Sequence, residues 1–105
     1  MFKRPKDDSK YAWTHHVFEK MKFYGISESR IKRIIRFPKR LEEGIVEGTV
    51  AVMQPAGTKR YSEIWVMYKL AGRKIKIITA WRYPGKSPER DPVPQEIINE
   101  VRSLL

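Results

Sequence analysis

Residues 63–70 have the sequence Glu-Ile-Trp-Val-Met-Tyr-Lys-Leu, followed by Ala71-Gly72 and by a second long stretch over 73–83. The first stretch is nearly apolar, which predicts a central strand covered on both faces. Ala71-Gly72 predicts a short hairpin turn, and residues 73–83 predict the last strand. Alternation predicts two faces for that strand, with Ile75, Ile77, Thr79 and Trp81 on one and Lys74, Lys76, Ile78, Ala80 and Arg82 on the other.

Two shorter strands precede this hairpin. Residues 41–47 and 49–54 are rich in β-branched residues, and Gly48 lies near the predicted turn between them. Pro55-Ala56-Gly57-Thr58 predicts a further turn, and the proline-rich segment 84–93 predicts a loop. The chain therefore predicts a four-stranded, mainly antiparallel sheet.

Helical periodicity predicts three helices. The first covers 11–24 and the second 28–37, separated by Gly25-Ile26-Ser27, in which the glycine suits a helix end and the serine a helix start. The third covers about 94–104. The fold class is thus α+β, with two N-terminal helices packed on the sheet plus a C-terminal helix. Residues 11–105 form a single domain behind a flexible basic tail at 1–10.

Charge is the second informative feature. The chain of 105 residues carries a formal net charge of +10, and residues 1–40 hold 12 basic and 4 acidic residues. Such an excess favours an anionic polymer as partner, and RNA is the partner we expect. The many Lys, Arg and Glu residues and the few amides are typical of a thermophile.

Several classes of protein and of functional site are disfavoured by the sequence. The chain has no cysteine and only two adjacent histidines, so no metal site is expected. It shows neither a signal peptide nor a long apolar run, which predicts a cytoplasmic protein without membrane contact. No P-loop, dinucleotide fingerprint or carboxylate cluster is present, so no cofactor is expected.

Metal-free RNA cleavage remains compatible with the residues present. His16 and Lys20 lie one helical turn apart at the edge of the apolar face of the first helix, and Arg82 lies near the end of the last strand. In this chemistry the 2′-hydroxyl of the RNA attacks the adjacent phosphate, and the protein supplies a base, a cation and an acid. His16, Lys20 and Arg82 are the candidate catalytic residues. The expected nucleic-acid-binding residues are Lys22, Arg33, Arg36, Lys76, Tyr83 and Lys86.

Two other features have simpler interpretations. Trp65, Trp81, Tyr68 and Tyr83 could stack on bases, but aromatic residues in strands are more often core, as we expect for Trp81. Glu63 begins the central strand, and nothing in the sequence distinguishes it from a solvated carboxylate.

The sequence also resembles a known group of proteins. His16-Val17-Phe18-Glu19-Lys20-Met21, then Gly25-Ile26-Ser27-Glu28, Phe37-Pro38 and Ile78-Thr79-Ala80-Trp81-Arg82 resemble a family of small prokaryotic domains of unknown function. That family looks related to the RelE/ParE-like toxins. The resemblance covers about residues 12–83. It differs at Phe23-Tyr24, where relatives have basic residues, and at the C-terminus, which lacks a RelE-type tyrosine.

The resemblance implies helices packed on one side of a curved antiparallel sheet. It also implies metal-free RNA cleavage restrained by an acidic antitoxin protein, with His16, Lys20 and Arg82 as the site. Two alternatives remain open. Residues 17–37 resemble a helix-turn-helix, which would make the chain a non-catalytic nucleic-acid-binding module. The chain could also be a protein-interaction domain.

Overall fold

A five-stranded mixed sheet forms the centre of the computed structural model, which describes residues 3–43 and 46–104. The strands are β1 (Tyr11–Trp13), β2 (Arg40–Glu43), β3 (Thr49–Pro55), β4 (Ser62–Ala71) and β5 (Lys74–Pro84). Their order across the sheet is β1-β5-β4-β3-β2, with β1 parallel to β5 and all other pairs antiparallel. The helices are α1 (His15–Tyr24), α2 (Glu28–Arg36) and α3 (Gln95–Leu104).

The α+β class is confirmed, but the prediction of four strands was wrong. Residues 11–13 form the extra strand β1, where a helical start was expected. Alternation buries Tyr11 and Trp13, and all three residues pair with Ile75–Ile77 of β5. The helix begins only after Thr14, whose side chain accepts a hydrogen bond from the Val17 amide as an N-cap. Cross-strand pairing therefore outweighs local helical periodicity at this point.

Helices cover both faces of the sheet, not one face as the resemblance implied. Val17, Met21, Ile31 and Ile34 of α1 and α2 pack on one face, here called the α1–α2 face. Ile97 and Val101 of α3 pack on the opposite face, here called the α3 face. Residues 63–67 of β4 are buried between them, which confirms a central strand covered on both sides.

A β-bulge in β5 reverses the predicted alternation. Met67 pairs with Thr79 and Tyr68 pairs with Ile77, so Ile78 has no partner across the strand pair. Ile77 packs on the α1–α2 face, but Trp81 packs on the α3 face. The prediction that Ile77 and Trp81 share a face was therefore wrong, because one extra residue shifts the alternation after Ile78. The bulge also turns Arg82 towards the α1–α2 face.

Several boundaries also differ by a few residues. Strand β2 begins at Arg40, one residue before the prediction, and residues 44–45 of the predicted strand lie outside the described residues. The hairpin turn lies at Gly72-Arg73, one position later than predicted, and Gly72 has a φ of +64°. The expected flexibility of residues 1–10 stays a prediction, although Asp8 accepts hydrogen bonds from the Lys10 and Tyr11 amides.

Candidate nucleic-acid interface

A cleft of about 580 Å³ opens where the end of β5 meets α1, α3 and the proline-rich loop. Its lining includes Lys20 and Tyr24 of α1, Arg82 and Tyr83 of β5, and Glu100 of α3. These residues come from positions up to 80 apart in the chain. The fold thus brings two of the three predicted catalytic residues, Lys20 and Arg82, to one concave surface.

Arg82 is held in place by the end of α1. Its Nε donates a hydrogen bond of 2.8 Å to the Tyr24 carbonyl oxygen. That carbonyl belongs to the last turn of a helix capped by Gly25, which has a left-handed φ of +66°. Arg82 is half-buried, and neither of its terminal nitrogens makes a hydrogen bond to another described residue. The Tyr24 carbonyl group therefore orients Arg82, while the two terminal nitrogens of Arg82 remain able to bind an anion.

His16 and Lys20 meet through Glu100, a residue that the sequence did not single out. Lys20 Nζ lies 3.2 Å from Glu100 Oε2 and 3.3 Å from Oε1. His16 Nε2 lies 3.5 Å from the same Oε2. We call these three residues the Glu100 cluster. Glu100 lies about one turn before the end of α3, and only the packing of α3 beside α1 brings it to this pair.

His16 does not share the main cleft with Arg82. It lines a smaller cavity of about 190 Å³ together with Thr14, Lys76 and Leu104. Burial lowers the pKa of His16 below its ordinary value of 6.5, and Lys20 acts in the same direction. Glu100 opposes this by favouring the charged imidazolium. The net shift favours a neutral imidazole at pH 7, which can accept a proton.

The Glu100 cluster is incompletely hydrogen-bonded. His16 Nε2 and Glu100 Oε2 are both buried, and neither makes a hydrogen bond of good geometry within the described residues. Buried polar atoms without partners cost free energy and are uncommon in folded proteins. Glu100 Oε2 nevertheless lies 3.2 Å from Lys20 Nζ, so an ion pair compensates part of this cost.

The other predicted binding residues are dispersed. Only Tyr83 lines the main cleft. Lys22 pairs with Glu19 at 3.0 Å, and Lys76 lies beside His16 in the smaller cavity. Arg33 and Arg36 are exposed on α2, and Lys86 is exposed in the loop after β5. The main cleft therefore does not gather the six residues together.

Aromatic residues divide into core and rim. Trp65 and Trp81 stack with their ring centroids 5.7 Å apart and are buried, so the prediction that Trp81 belongs to the core is confirmed. Phe23 is 78% exposed and packs edge-on against Tyr24 at 4.8 Å. Both line the cleft, which gives it an exposed aromatic wall. Phe23-Tyr24 is also the position where the chain departs from the basic residues of the family it resembles.

Glu63 is not a solvated carboxylate, so that interpretation was wrong. Its side chain is fully buried, and it accepts hydrogen bonds from Trp65 Nε1 at 3.0 Å and Tyr61 Oη at 2.9 Å. It also accepts from the hydroxyl and the amide of Ser87. Burial raises its pKa, but the hydrogen bonds from Ser87, Trp65 and Tyr61 outweigh this, so the net pKa lies below 4.5.

Arg40 completes this arrangement, which we call the Glu63 network (Glu63, Tyr61, Trp65, Ser87 and Arg40). Arg40 Nη1 donates to Ser87 Oγ at 2.8 Å, and its guanidinium lies 5.2 Å from the centre of the Trp65 ring. Ser87 is buried in the loop whose Pro88 and Pro92 line the cleft. The network therefore fixes one wall of the cleft to the sheet.

Comparisons with protein-family models, with curated proteins and with solved structures gave no match for this chain. Within residues 3–43 and 46–104, no group of three or more His, Asp or Glu residues could hold a metal ion. No helix of this part of the chain is long and apolar enough to cross a bilayer.

Proposed function

We propose that the cleft between α1, β5 and α3 binds single-stranded RNA and cleaves it without a metal ion. The observation that carries this proposal is the meeting of Lys20 and Arg82 in one cleft beside an exposed aromatic wall. Cations bind the phosphate backbone, while aromatic rings stack on unpaired bases. The net charge of +10 supports a polyanionic partner.

The cleft favours a single strand over a duplex. The Phe23 ring is exposed at the rim of the cleft. An aromatic ring can stack on a base only when that base is splayed out of a helix. A cleft of about 580 Å³ has room for one or two nucleotides but not for paired strands.

Cleavage would use the Glu100 cluster beside Arg82. The 2′-oxygen forms a bond to phosphorus as the bond from phosphorus to the 5′-oxygen breaks, leaving a 2′,3′-cyclic phosphate. Glu100 takes the proton of the 2′-hydroxyl, and His16 positions Glu100 from behind. Arg82 and Lys20 stabilise the charge on the phosphate, and water protonates the departing 5′-oxygen. This assigns the role of base to Glu100, a residue that the sequence did not single out.

Binding is tested with a fluorescently labelled 12-nucleotide RNA in EDTA, measured by fluorescence anisotropy. Arg82→Gln should weaken binding about tenfold, because it removes a charge-assisted hydrogen bond to phosphate. Lys86→Gln removes the same charge from the exposed loop and serves as the matched control. Equal losses in the two variants would show that net charge alone, not the cleft, holds the RNA.

Cleavage is tested by incubating the protein with RNA in EDTA and analysing the product ends by mass spectrometry. We expect 2′,3′-cyclic phosphate and 5′-hydroxyl ends, which are lost in Glu100→Gln and Arg82→Gln. A matched substrate with a 2′-deoxyribose at each position should bind but remain intact. Cleavage that requires Mg²⁺, or that persists in both variants, would contradict the mechanism.

The acidic antitoxin and the use of residues 17–37 as a helix-turn-helix stay predictions. Ile31 and Ile34 of α2 are buried against the sheet, which leaves the exposed side of that helix to Arg33 and Arg36. Double-stranded DNA bound more tightly than single-stranded RNA would favour the helix-turn-helix. An acidic protein encoded by the neighbouring reading frame would favour the toxin.

A further inference from the structure

A second basic site lies on the α1–α2 face, at the end of the sheet where β3 and β5 finish. Gln54 of β3 pairs with Ile64 of β4, which pairs in turn with Arg82 of β5. Cross-strand neighbours lie side by side on one face, so the three side chains form a row. Ile64 is buried and forms the floor, with Gln54 and Arg82 on either side.

Helix α2 carries two more arginines over this row. Arg30 Nη2 donates to the Pro55 carbonyl oxygen at 2.6 Å, which places its guanidinium next to Gln54. Gln54 Nε2 donates to the Phe37 carbonyl oxygen at 2.8 Å, which ties the end of β3 to the end of α2. Arg33 lies one turn after Arg30 on the same helix. We call Arg30, Arg33 and Arg82 the arginine cluster.

Backbone carbonyl groups, not carboxylates, hold this cluster together. Arg30 and Arg82 each donate to a main-chain oxygen, and none of the three arginines has an ion pair within the described residues. Arg30 Nε is buried and also lacks a hydrogen-bond partner there. Neighbouring like charges repel each other, so an uncompensated cluster destabilises the folded state unless an anion joins it.

The electrostatics agree with this geometry. Burial lowers the pKa of Arg30, and the positive charges of Arg33 and Arg82 lower it further. The charges of Arg33 and Arg82 therefore both act on Arg30.

We propose that Arg30, Arg33 and Arg82 form a phosphate-binding site next to the cleft. Guanidinium groups bind phosphate oxygens through paired N–H donors, and Arg30 Nε is a further donor without a partner among the described residues. Because Arg82 borders both the cleft and the cluster, an RNA strand in the cleft places its neighbouring phosphate here. That last step rests on the proposed function, whereas phosphate binding itself does not.

Inorganic phosphate is the direct probe, because it tests the cluster without RNA. The arginine Nε–H signals are followed by ¹⁵N NMR during titration with phosphate, with chloride at equal ionic strength as reference. We expect saturable shifts of the Arg30 and Arg82 signals with phosphate only. Shifts that are equal with chloride, or absent with phosphate, would overturn the proposal.

Arg33→Gln is the discriminating variant, since Arg33 is exposed and lies outside the cleft. It should lose the saturable phosphate response and the phosphate-dependent rise in Tm. In phosphate-free buffer its Tm should equal or exceed that of the wild type, because repulsion is relieved. Arg36→Gln removes the same charge one turn further along α2 and should retain the phosphate response. Loss of that response in both variants would overturn the proposal.

Measurements of RNA binding to the same variants separate this inference from the proposed function. Arg33→Gln should reduce the slope of log affinity against log salt by about 1 relative to Arg36→Gln. If phosphate binds the cluster but RNA does not bind the cleft, the proposed function fails and the phosphate site stands. If RNA binds normally and phosphate never does, the phosphate site fails alone.

Discussion

The Glu63 network and the Glu100 cluster both place a glutamate among partners from distant parts of the chain, but they differ in how fully those partners are used. Glu63 is completely buried and accepts four hydrogen bonds. Glu100 is 38% exposed, and its buried oxygen Oε2 has no hydrogen bond of good geometry. A fully satisfied polar network rigidifies a fold, whereas a buried polar atom without a hydrogen bond calls for an explanation such as a catalytic role.

The position of each carboxylate fits this distinction. The Glu63 network ties the loop after β5 to the α3 face, behind the wall of the cleft. Lys20 and Glu100 of the Glu100 cluster line the cleft itself, whereas His16 lines the smaller cavity beside it. We infer that the first network stabilises the shape of the site, while the second supplies its reactive groups.

Removing Glu63 tests whether the Glu63 network stabilises the fold, and it should have the largest effect on the free energy of unfolding. Glu63→Ala leaves the buried donors of Ser87 and Trp65 without an acceptor. We expect the free energy of unfolding to fall by about 3–5 kcal/mol, measured by urea denaturation at pH 7. Glu89→Ala changes an exposed carboxylate in the loop that contains Ser87, and it should leave the free energy of unfolding unchanged. A loss in Glu63→Ala no greater than in Glu89→Ala would show that the network does not stabilise the fold.

The dependence of stability on pH separates the two regions by their titration ranges. The pKa of His16 is lowered in the folded state, so the unfolded chain binds the proton more readily. The contribution of His16 is therefore complete above about pH 6.5 and is lost as the pH falls through the folded pKa. Glu63 also has a lowered pKa, so its contribution is lost only at lower pH, starting from its ordinary value of 4.5.

His16→Asn should consequently flatten the stability curve between pH 7 and pH 5, measured by thermal unfolding in matched buffers. His15→Asn is the control, because it makes the same substitution at the exposed neighbouring position of α1. Parallel curves for His16→Asn and the wild type would show that the burial of His16 does not affect folding.

Glu100→Gln should have the smallest effect on stability. The carboxylate is partly exposed, and ion pairs of this kind contribute about 0–1 kcal/mol. Its effects on Lys20 and His16 should be clearer, because it frees the ammonium group and removes the charge that favours protonated His16. We expect tighter binding of uncleaved RNA and a further fall in the pKa of His16, measured by NMR titration. An unchanged His16 pKa would show that the Glu100 contact does not persist in solution.

Part of the site could be predicted from the sequence. Helical spacing places Lys20 one turn after His16, and both contact the same residue in the structure. Arg82 could be placed near the end of the last strand. Glu100 could not be predicted as their partner, because helical periodicity shows only which face of α3 is apolar and not which helix lies beside it.

By itself, the sequence determined the hairpin of β4 and β5, the central position of β4, the turn between α1 and α2, and the basic character of the chain. These features follow from local periodicity, turn residues and charge, which act over a few neighbouring positions. Only the tertiary structure decided that residues 11–13 form a strand, that Trp81 and Ile77 face opposite sides, and that Glu63 is buried. Each depends on pairing or burial between residues distant in the chain, such as Tyr11 with Ile75 and Glu63 with Ser87. Local patterns carry no information about such partners, and a single bulge reverses every side chain that follows it.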